Sequence, residues 1–472
     1  MKEMRVQIRS RVAEWRADGR LRLALVGSGL FGWLISYPFY GSPVFTLLGT
    51  QQAGFFCHLF GGGLAAGFFL AGFLLPFRVV PHRLVRFAGL FAALVPLSCL
   101  TLPAFVFLAP AAGLVAAWPI FAWACNIART ATLIPLLAAG VVGANLLCWC
   151  CRMLAASKVT ALPAVLILSL IWCCALLFLP PTPHQEKKPL AIARWAPLFL
   201  FALATYPTYG IHFRVLLPLA TESGLGLRLG CLPYVIVFAA AAFLAVRYSL
   251  MSVAAAGLSF LGLASVSLAA LSAFTPVPLL FLFALTAALI GLACTDFYYW
   301  TALVGLAAGG KAEVLGLGLG LCVVLITGTG VLVDTTNVVA VAQTPLAALL
   351  DSAFLFLLLP LLLPRLALGM RTDTAPANLP APADPPERGE APATRALLDV
   401  LTPAERRVFA LLLTDKTYGE IAADLLISPN TVKYHVRNIY RKAGCSSRQE
   451  LQARFRTPVA APVHANADPH LP

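Results

Sequence analysis

A chain of 472 residues that is 60% hydrophobic and 11% charged, with a mean hydropathy of +0.85, has too few polar side chains to cover a water-facing globule. Soluble proteins carry about a quarter charged residues, so a soluble enzyme-like body is excluded for most of the length and bilayer lipid is the natural solvent. The net charge of +14, from 34 Lys and Arg against 20 Asp and Glu, informs through its placement. Of the twelve cysteines, eleven fall in or beside apolar stretches, where cysteine packs as a small hydrophobe. The close groups Cys148, Cys150, Cys151 and Cys173, Cys174 have no histidine or second CxxC at ligand spacing, so no metal site or cofactor is expected.

The N-terminal Met1 to Arg22 is basic and lacks an apolar core followed by a small-residue cleavage site, so it reads as a cytoplasmic lead-in. Stretches of roughly 20 apolar residues, the length of a membrane helix, then recur near 23–40, 51–76, 87–107, 111–127, 131–151, 160–180, 195–213, 229–246, 250–271, 278–298, 312–333 and 345–364. With the N-terminus in the cytoplasm, about twelve spans return the C-terminus there. Up to Arg371 the inner segments then hold eighteen Lys and Arg, and the outer loops four: Arg152, Lys158, Arg214 and Arg228. That split is the positive-inside pattern. His184–Arg194, with Lys187 and Lys188, becomes a central cytoplasmic loop dividing six helices from six.

Ionisable groups within spans are costly and are functional candidates by default. His58, Asp296 and Asp351 fall inside predicted spans, and Tyr298, Tyr299 and Trp300 follow Asp296. These three are the expected ligand-binding residues. Glu313, Asp334, His212 and Arg214 read as nearer the interfaces, where solvation accounts for them. Gly316-Leu-Gly-Leu-Gly320 reads as a close-packing helix face.

Residues 371–394 are Pro/Ala-rich and lack aromatics, so they cannot bury a core and form a linker. Helix start signals then crowd together: Thr402 with Pro403 and Glu405, Thr417 with Glu420, Ser428 with Pro429, and Ser447 with Glu450. Gly444 suits a helix end. Four short helices are predicted near 403–414, 418–426, 429–443 and 448–455, the middle two in helix-turn-helix relation. On the third, Val432, Val436, Ile439 and Ala443 form an apolar face expected to pack on Val408, Leu412, Ile421 and Leu425. Lys433, Arg437 and Arg441 recur at i, i+4, i+8, with Tyr434 and Asn438 beside them. Three cations on one stripe repel one another, so helix stability does not explain them. A phosphate-lined groove does, and Arg and Lys also reach guanine edges. Residues 399–456 carry ten Lys and Arg against six Asp and Glu, a net of +4. His435 reads as a packing residue.

Over about Leu401 to Leu451 the sequence resembles the LuxR-type (GerE-like) helix-turn-helix family. The resemblance rests on Leu401-Thr-Pro-x-Glu405, Glu420-Ile-Ala422, Leu425-x-Ile-Ser428, Thr431-Val-Lys-x-His-Val-x-Asn-Ile439, Lys442-x-Gly444 and Ser447-Arg448. It implies base reading by Lys433, Tyr434 and Arg437, backbone contacts from Thr431 and nearby residues, dimerisation through the fourth helix, and bracing by Glu405 and Arg448; Asn438 and Arg441 complete the expected DNA-binding set. Ala404, Asp415, Tyr418-Gly419 and Ala443 depart from the family's usual residues and leave the reading face intact. The six-plus-six layout resembles that of major facilitator transporters, although residues 77–86 (FRVVPHRLVR) lack the Gly/Asp-containing signature of that family.

The expected architecture is therefore all-α. A polytopic membrane bundle occupies residues 1–370, the linker 371–394, a LuxR-type DNA-binding domain 395–456 and a disordered tail 457–472. What this implies is a bacterial, inner-membrane, one-component transcription regulator, not an enzyme. Its expected partners are double-stranded DNA, the lipid bilayer, a second copy of itself on DNA, an unidentified small-molecule ligand sensed in the membrane domain, and RNA polymerase. The alternative is a membrane transporter with a regulatory DNA-binding tail.

Overall fold

The computed structural model describes residues 15, 19–39, 41–76, 80–99, 103–130, 132–154, 157–184, 195–222, 232–247, 249–273, 278–336, 341, 344–371, 397–398, 401, 403–424 and 429–455. Ser428 and Leu425, most of the expected linker and the expected tail lie outside them. The chain divides into two compact units, residues 1–377 and 378–472. Among the described residues every regular element is helical.

The first unit begins with α1 (Arg20–Ser36), the short α2 (Ser42–Leu48), α3 (Thr50–Leu74) and α4 (His82–Cys99). A 3₁₀ turn (Pro103–Leu108) leads into α5 (Ala109–Ala128), followed by α6 (Leu133–Leu154) and α7 (Lys158–Phe178). A second set follows: α8 (Ala196–Glu222), α9 (Leu232–Arg247), α10 (Leu250–Ala273), α11 (Pro278–Ala308), α12 (Ala312–Thr335) and α13 (Pro345–Arg371). Lipid offers no hydrogen bonds to backbone, so a chain this apolar satisfies its amides within helices.

Helix α7 illustrates the solvent match. Leu168 and Trp172 are fully buried, whereas Leu166, Ile167, Leu170 and Leu177 are more than half exposed. An apolar outer face of this kind would promote aggregation in water and is at home against acyl chains. By length and composition, eight described helices can cross a membrane. The protein is a membrane protein.

Within each set neighbouring helices pack broadly, α1 on α6 and α7, α3 on α5, α10 on α11 and α13. Between the sets the main contacts are α3 with α12 and α6 with α9. Setting α2 aside as a short appendage, the second helix of one set meets the fifth of the other, and the reverse, as expected for two repeats related by a two-fold. The α3–α12 contact needs Gly316. A Cβ there would stand 2.7 Å from Gly72 Cα and 2.7 Å from the Phe68 carbonyl oxygen. The expectation that this Gly-rich run serves close packing is met.

Two expectations for this unit are corrected. Glu313 and His212 are both buried and not solvated at an interface. Helix α11 also runs ten residues past the expected end of its span, stopping only where Gly310 takes a positive φ of 80°.

In the second unit the helices are α14 (Pro403–Leu412), α15 (Tyr418–Asp424), α16 (Pro429–Ala443) and α17 (Arg448–Phe455). Their core is Val408, Phe409, Leu412, Ile421, Val432, Val436, Ile439, Ala443, Leu451 and Phe455, with Leu397 and Leu401 at its edge. The expected apolar face of α16 is thus the buried one.

Candidate nucleic-acid interface and buried polar clusters

The helix-turn-helix pair is capped before α15 and after α16. Before α15, the Thr417 amide and hydroxyl donate to Glu420 Oε2 at 2.7 and 2.8 Å, and the Glu420 amide donates back to Thr417 Oγ at 3.3 Å. This reciprocal box satisfies amides that a helix start leaves unpaired. At the end of α16, Gly444 adopts φ 65° and the Cys445 amide donates to the Tyr440 carbonyl at 3.0 Å. That six-to-one bond closes the helix, and it needs a residue at ease with left-handed backbone.

The expected box at Ser447 forms with a shifted register. The Glu450 amide donates to Ser447 Oγ at 3.2 Å, but the Glu450 carboxylate accepts from the amide and hydroxyl of Ser446, at 2.7 and 2.8 Å. These bonds hold the Glu450 carboxyl below the usual glutamate range.

Two side chains tie the ends of the module together. Arg448 Nε and Nη2 donate to the carbonyls of Leu412 and Thr414, at 3.0 and 2.6 Å. Gln452 Nε2 donates to the same two, at 2.9 and 3.0 Å. The carbonyls at the last residue of α14 and two residues beyond it, which the helix itself leaves without a partner, are thereby satisfied by α17. Glu405, on the first turn of α14, accepts from Lys442 Nζ at 2.6 Å. Arg448 and Glu405 thus brace the module; Gln452 carried no sequence signal beyond its spacing of four from Arg448.

With its apolar face buried and its C-terminal end capped, α16 presents Lys433, Tyr434, Arg437 and Arg441 to solvent. Tyr434 is 64% exposed. Asn438 is half-buried and accepts from Arg441 at 3.4 Å, while Thr431 lies on the first turn of α16. Three cations and an exposed phenol on one helix face form a surface complementary to a phosphate-lined groove. His435 is half-buried, its ring 5.7 Å edge-on from Tyr434.

In the membrane unit, the three expected ligand residues each sit in a separate polar cluster. His58 on α3 meets Asp334 on α12 at 3.3 Å, bridging the two helix sets. Asp351 on α13 accepts from Ser265 Oγ at 2.6 Å and from Thr208 Oγ at 3.1 Å, with His212 Nε2 at 3.3 Å. Helices α8, α10 and α13 therefore meet around one carboxylate. Asp296 on α11 accepts from Tyr234 Oη at 2.9 Å. Tyr298 and Tyr299 are fully buried; Tyr299 donates to the Gly318 carbonyl at 2.9 Å. Among the described residues no group of three or more His, Cys, Asp or Glu is placed to hold a metal ion.

A short helical module with an exposed basic reading face, on a chain whose remainder is a membrane helix bundle, defines a membrane-bound DNA-binding protein. The family described as "Bacterial regulatory proteins, luxR family" (GerE) matches residues 399–454. The spore germination protein GerE of Bacillus subtilis (strain 168) is 47% identical over 51 residues, which are 11% of this chain and 69% of that protein. The "Probable transcriptional regulatory protein SgaR" of Hyphomicrobium methylovorum is 49% identical over 51 residues, 11% of this chain but only 24% of that protein. The human organic anion transporter MFSD10 (TETRAN) matches 73% of this chain and 99% of its own at 15% identity, with a TM-score of 0.54. That likeness concerns the fold of the membrane unit, which is transporter-like. Through its C-terminal module the chain belongs to the luxR family of bacterial regulatory proteins.

Proposed function

We propose that the protein is a one-component regulator, in which a small molecule bound by the membrane unit changes how the C-terminal module occupies a promoter. The observation that carries this reading is the pairing in one chain of an exposed basic helix with buried polar clusters that link helices of a transporter-like bundle. In this reading residues 1–370 are the sensor, 371–394 a linker, 395–456 the DNA-binding domain and 457–472 a tail. The sensor crosses the bacterial cytoplasmic membrane about twelve times with both termini inside, where DNA is, an orientation supported by the charge asymmetry of its loops. The protein catalyses no reaction.

On DNA, Lys433, Tyr434 and Arg437 read bases, and Thr431, Asn438 and Arg441 engage the backbone. Two copies bind a two-fold site through α17 and act on RNA polymerase. His58, Asp296 and Asp351 are the candidate ligand contacts. Such coupling requires that the ligand bind the DNA-competent and incompetent states with different affinity. Comparing transcripts of a deletion strain with its parent, followed by mobility shifts of the full-length protein in nanodiscs, tests the reading. Unchanged transcripts and no retarded complex at low salt would overturn it.

The transporter-like fold favours a second reading, a transporter with a DNA-binding tail. Radiolabelled-solute flux into proteoliposomes of the full chain separates the two, because a sensor binds without net transfer.

A further inference from the structure

The carboxylates of Asp296, Asp334 and Asp351 in the membrane unit are not equivalent. Asp334 and Asp351 each have a histidine within 3.3 Å. Around Asp296 the interacting groups are the Tyr206 and Tyr234 hydroxyls and the Cys322 thiol, and no cationic side chain acts on it among the described residues. Its Oδ1 is sealed from solvent and has no well-formed hydrogen bond there. Tyr206 Oη, on a side chain 95% buried, stands by the same carboxylate, sealed and likewise without a well-formed hydrogen bond.

The packing around the carboxylate is aromatic. Tyr206 and Tyr299 pack edge-on at 5.7 Å, Tyr234 lies 5.6 Å from Phe238, and Phe238 lies 5.3 Å from Phe297. Tyr209 adds a third phenol near the carboxylate, beside Tyr206 and Tyr234, while Tyr299 packs behind Tyr206. Asp296 is the nineteenth residue of the 31-residue α11, with apolar helix on both sides. One turn further, Trp300 meets Phe31 of α1 edge-on at 5.1 Å, joining the two helix sets.

We infer that Asp296, with Tyr206, Tyr209, Tyr234 and Tyr299, binds a small organic ammonium ion that carries N–H groups and an apolar body. A carboxylate in a low-dielectric site is costly without a counter-charge. An ammonium supplies that charge, an N–H supplies the donor that Oδ1 lacks, and phenol faces attract a cation further. Quaternary ammonium satisfies only the charge. A neutral ligand satisfies neither. The inference rests on the sensing role proposed above and names the chemistry of its ligand.

The test is calorimetric titration of the full-length protein in nanodiscs with benzylamine, its uncharged counterpart benzyl alcohol, and benzyltrimethylammonium. Benzylamine should bind saturably, at least tenfold more tightly than the alcohol and severalfold more tightly than the quaternary ion. Asp296→Asn should weaken benzylamine at least tenfold, Tyr206→Phe by less, and Gly305→Ala, a position open to added volume on the same helix, not at all.

Equal affinity for alcohol and amine would overturn the assignment, as expected if the carboxylate only carries a proton. So would an Asn variant that binds like the parent, or no saturable benzylamine binding at millimolar concentration. The alcohol comparison needs no variant, so it stands even if Asp296→Asn does not fold. If benzylamine binds through Asp296 but promoter occupancy is unchanged, the site stands and the sensing reading falls. If another solute alters promoter occupancy equally in the parent and in Asp296→Asn, sensing stands and this site falls.

Discussion

Glu405 and Lys442 meet at 2.6 Å across thirty-seven residues, locking the start of α14 to the end of α16. Their burial is unequal: the Glu405 side chain is 6% exposed and that of Lys442 23%. Removing the lysine takes a 2.6 Å cationic partner from a sealed carboxylate, whereas removing the carboxylate leaves an ammonium able to reach water. Breaking a buried pair costs about 3–5 kcal/mol when a charge is left uncompensated. Lys442→Met should therefore destabilise the module more than Glu405→Gln, by about 3 kcal/mol against about 1 kcal/mol. Urea unfolding of residues 395–472 checks the order, and an equal or reversed ranking contradicts it.

The reading face predicts a separation of stability from affinity. Lys433, Arg437 and Arg441 are exposed, so alanine at each should leave the melting transition within about 0.5 kcal/mol of the parent. Arg437→Ala should nonetheless weaken a specific complex by about 1–3 kcal/mol in mobility shifts. Arg441→Ala should weaken specific and nonspecific DNA alike and lower the salt slope by about 1.

Acid should reveal Glu450. Its folded carboxyl is held below the ordinary glutamate range by the Ser446 amide and hydroxyl. A depressed folded value contributes stability above the unfolded value, and that contribution is lost as pH falls through the folded one. The stability gap between the parent module and Glu450→Gln should be constant at neutral pH and shrink below the ordinary carboxylate range. Denaturant melts at stepped pH measure it; a gap that widens in acid would refute the assignment.

Gly316 and Gly328 share α12 but face different surroundings. A Cβ at Gly316 collides with α3, whereas at Gly328 nothing lies within 4 Å. Gly316→Ala should lower the melting temperature of detergent-solubilised protein by several degrees and Gly316→Val should abolish folding. Gly328→Ala should leave it unchanged or raise it, because alanine is the better helix former by about 1 kcal/mol.

What the sequence disclosed follows the range of the interactions. The module was legible because its caps are local: Thr417 signals Glu420 three residues away, and the period of Val432, Val436 and Ile439 is written along one helix. At the last box Ser447 caps the helix as its spacing predicts, and only the reciprocal arm of Glu450 moves to Ser446, because adjacent serines offer equivalent donors. In the membrane unit, apolar length disclosed the helices, but the polar clusters join residues remote in sequence. Thr208 and Asp351 are 143 apart, and His212 and Ser265 are 53 apart. Hydropathy placed His212 at an interface because it sees only the residue's own polarity and not the serine and aspartate that satisfy it. The twofold exchange of second and fifth helices likewise has no local signature.

The four hydrogen bonds that Arg448 and Gln452 send to Leu412 and Thr414 make a clamp with mechanical consequences. Residues 403–412 precede the other three helices of the module in the chain, so tension carried along the backbone from the N-terminal direction reaches them first. Sliding that helix against residues 448–455 would break all four bonds at once, so the load passes between them as if through a rigid coupling. A pull between these two helices therefore meets four hydrogen bonds in parallel and not one.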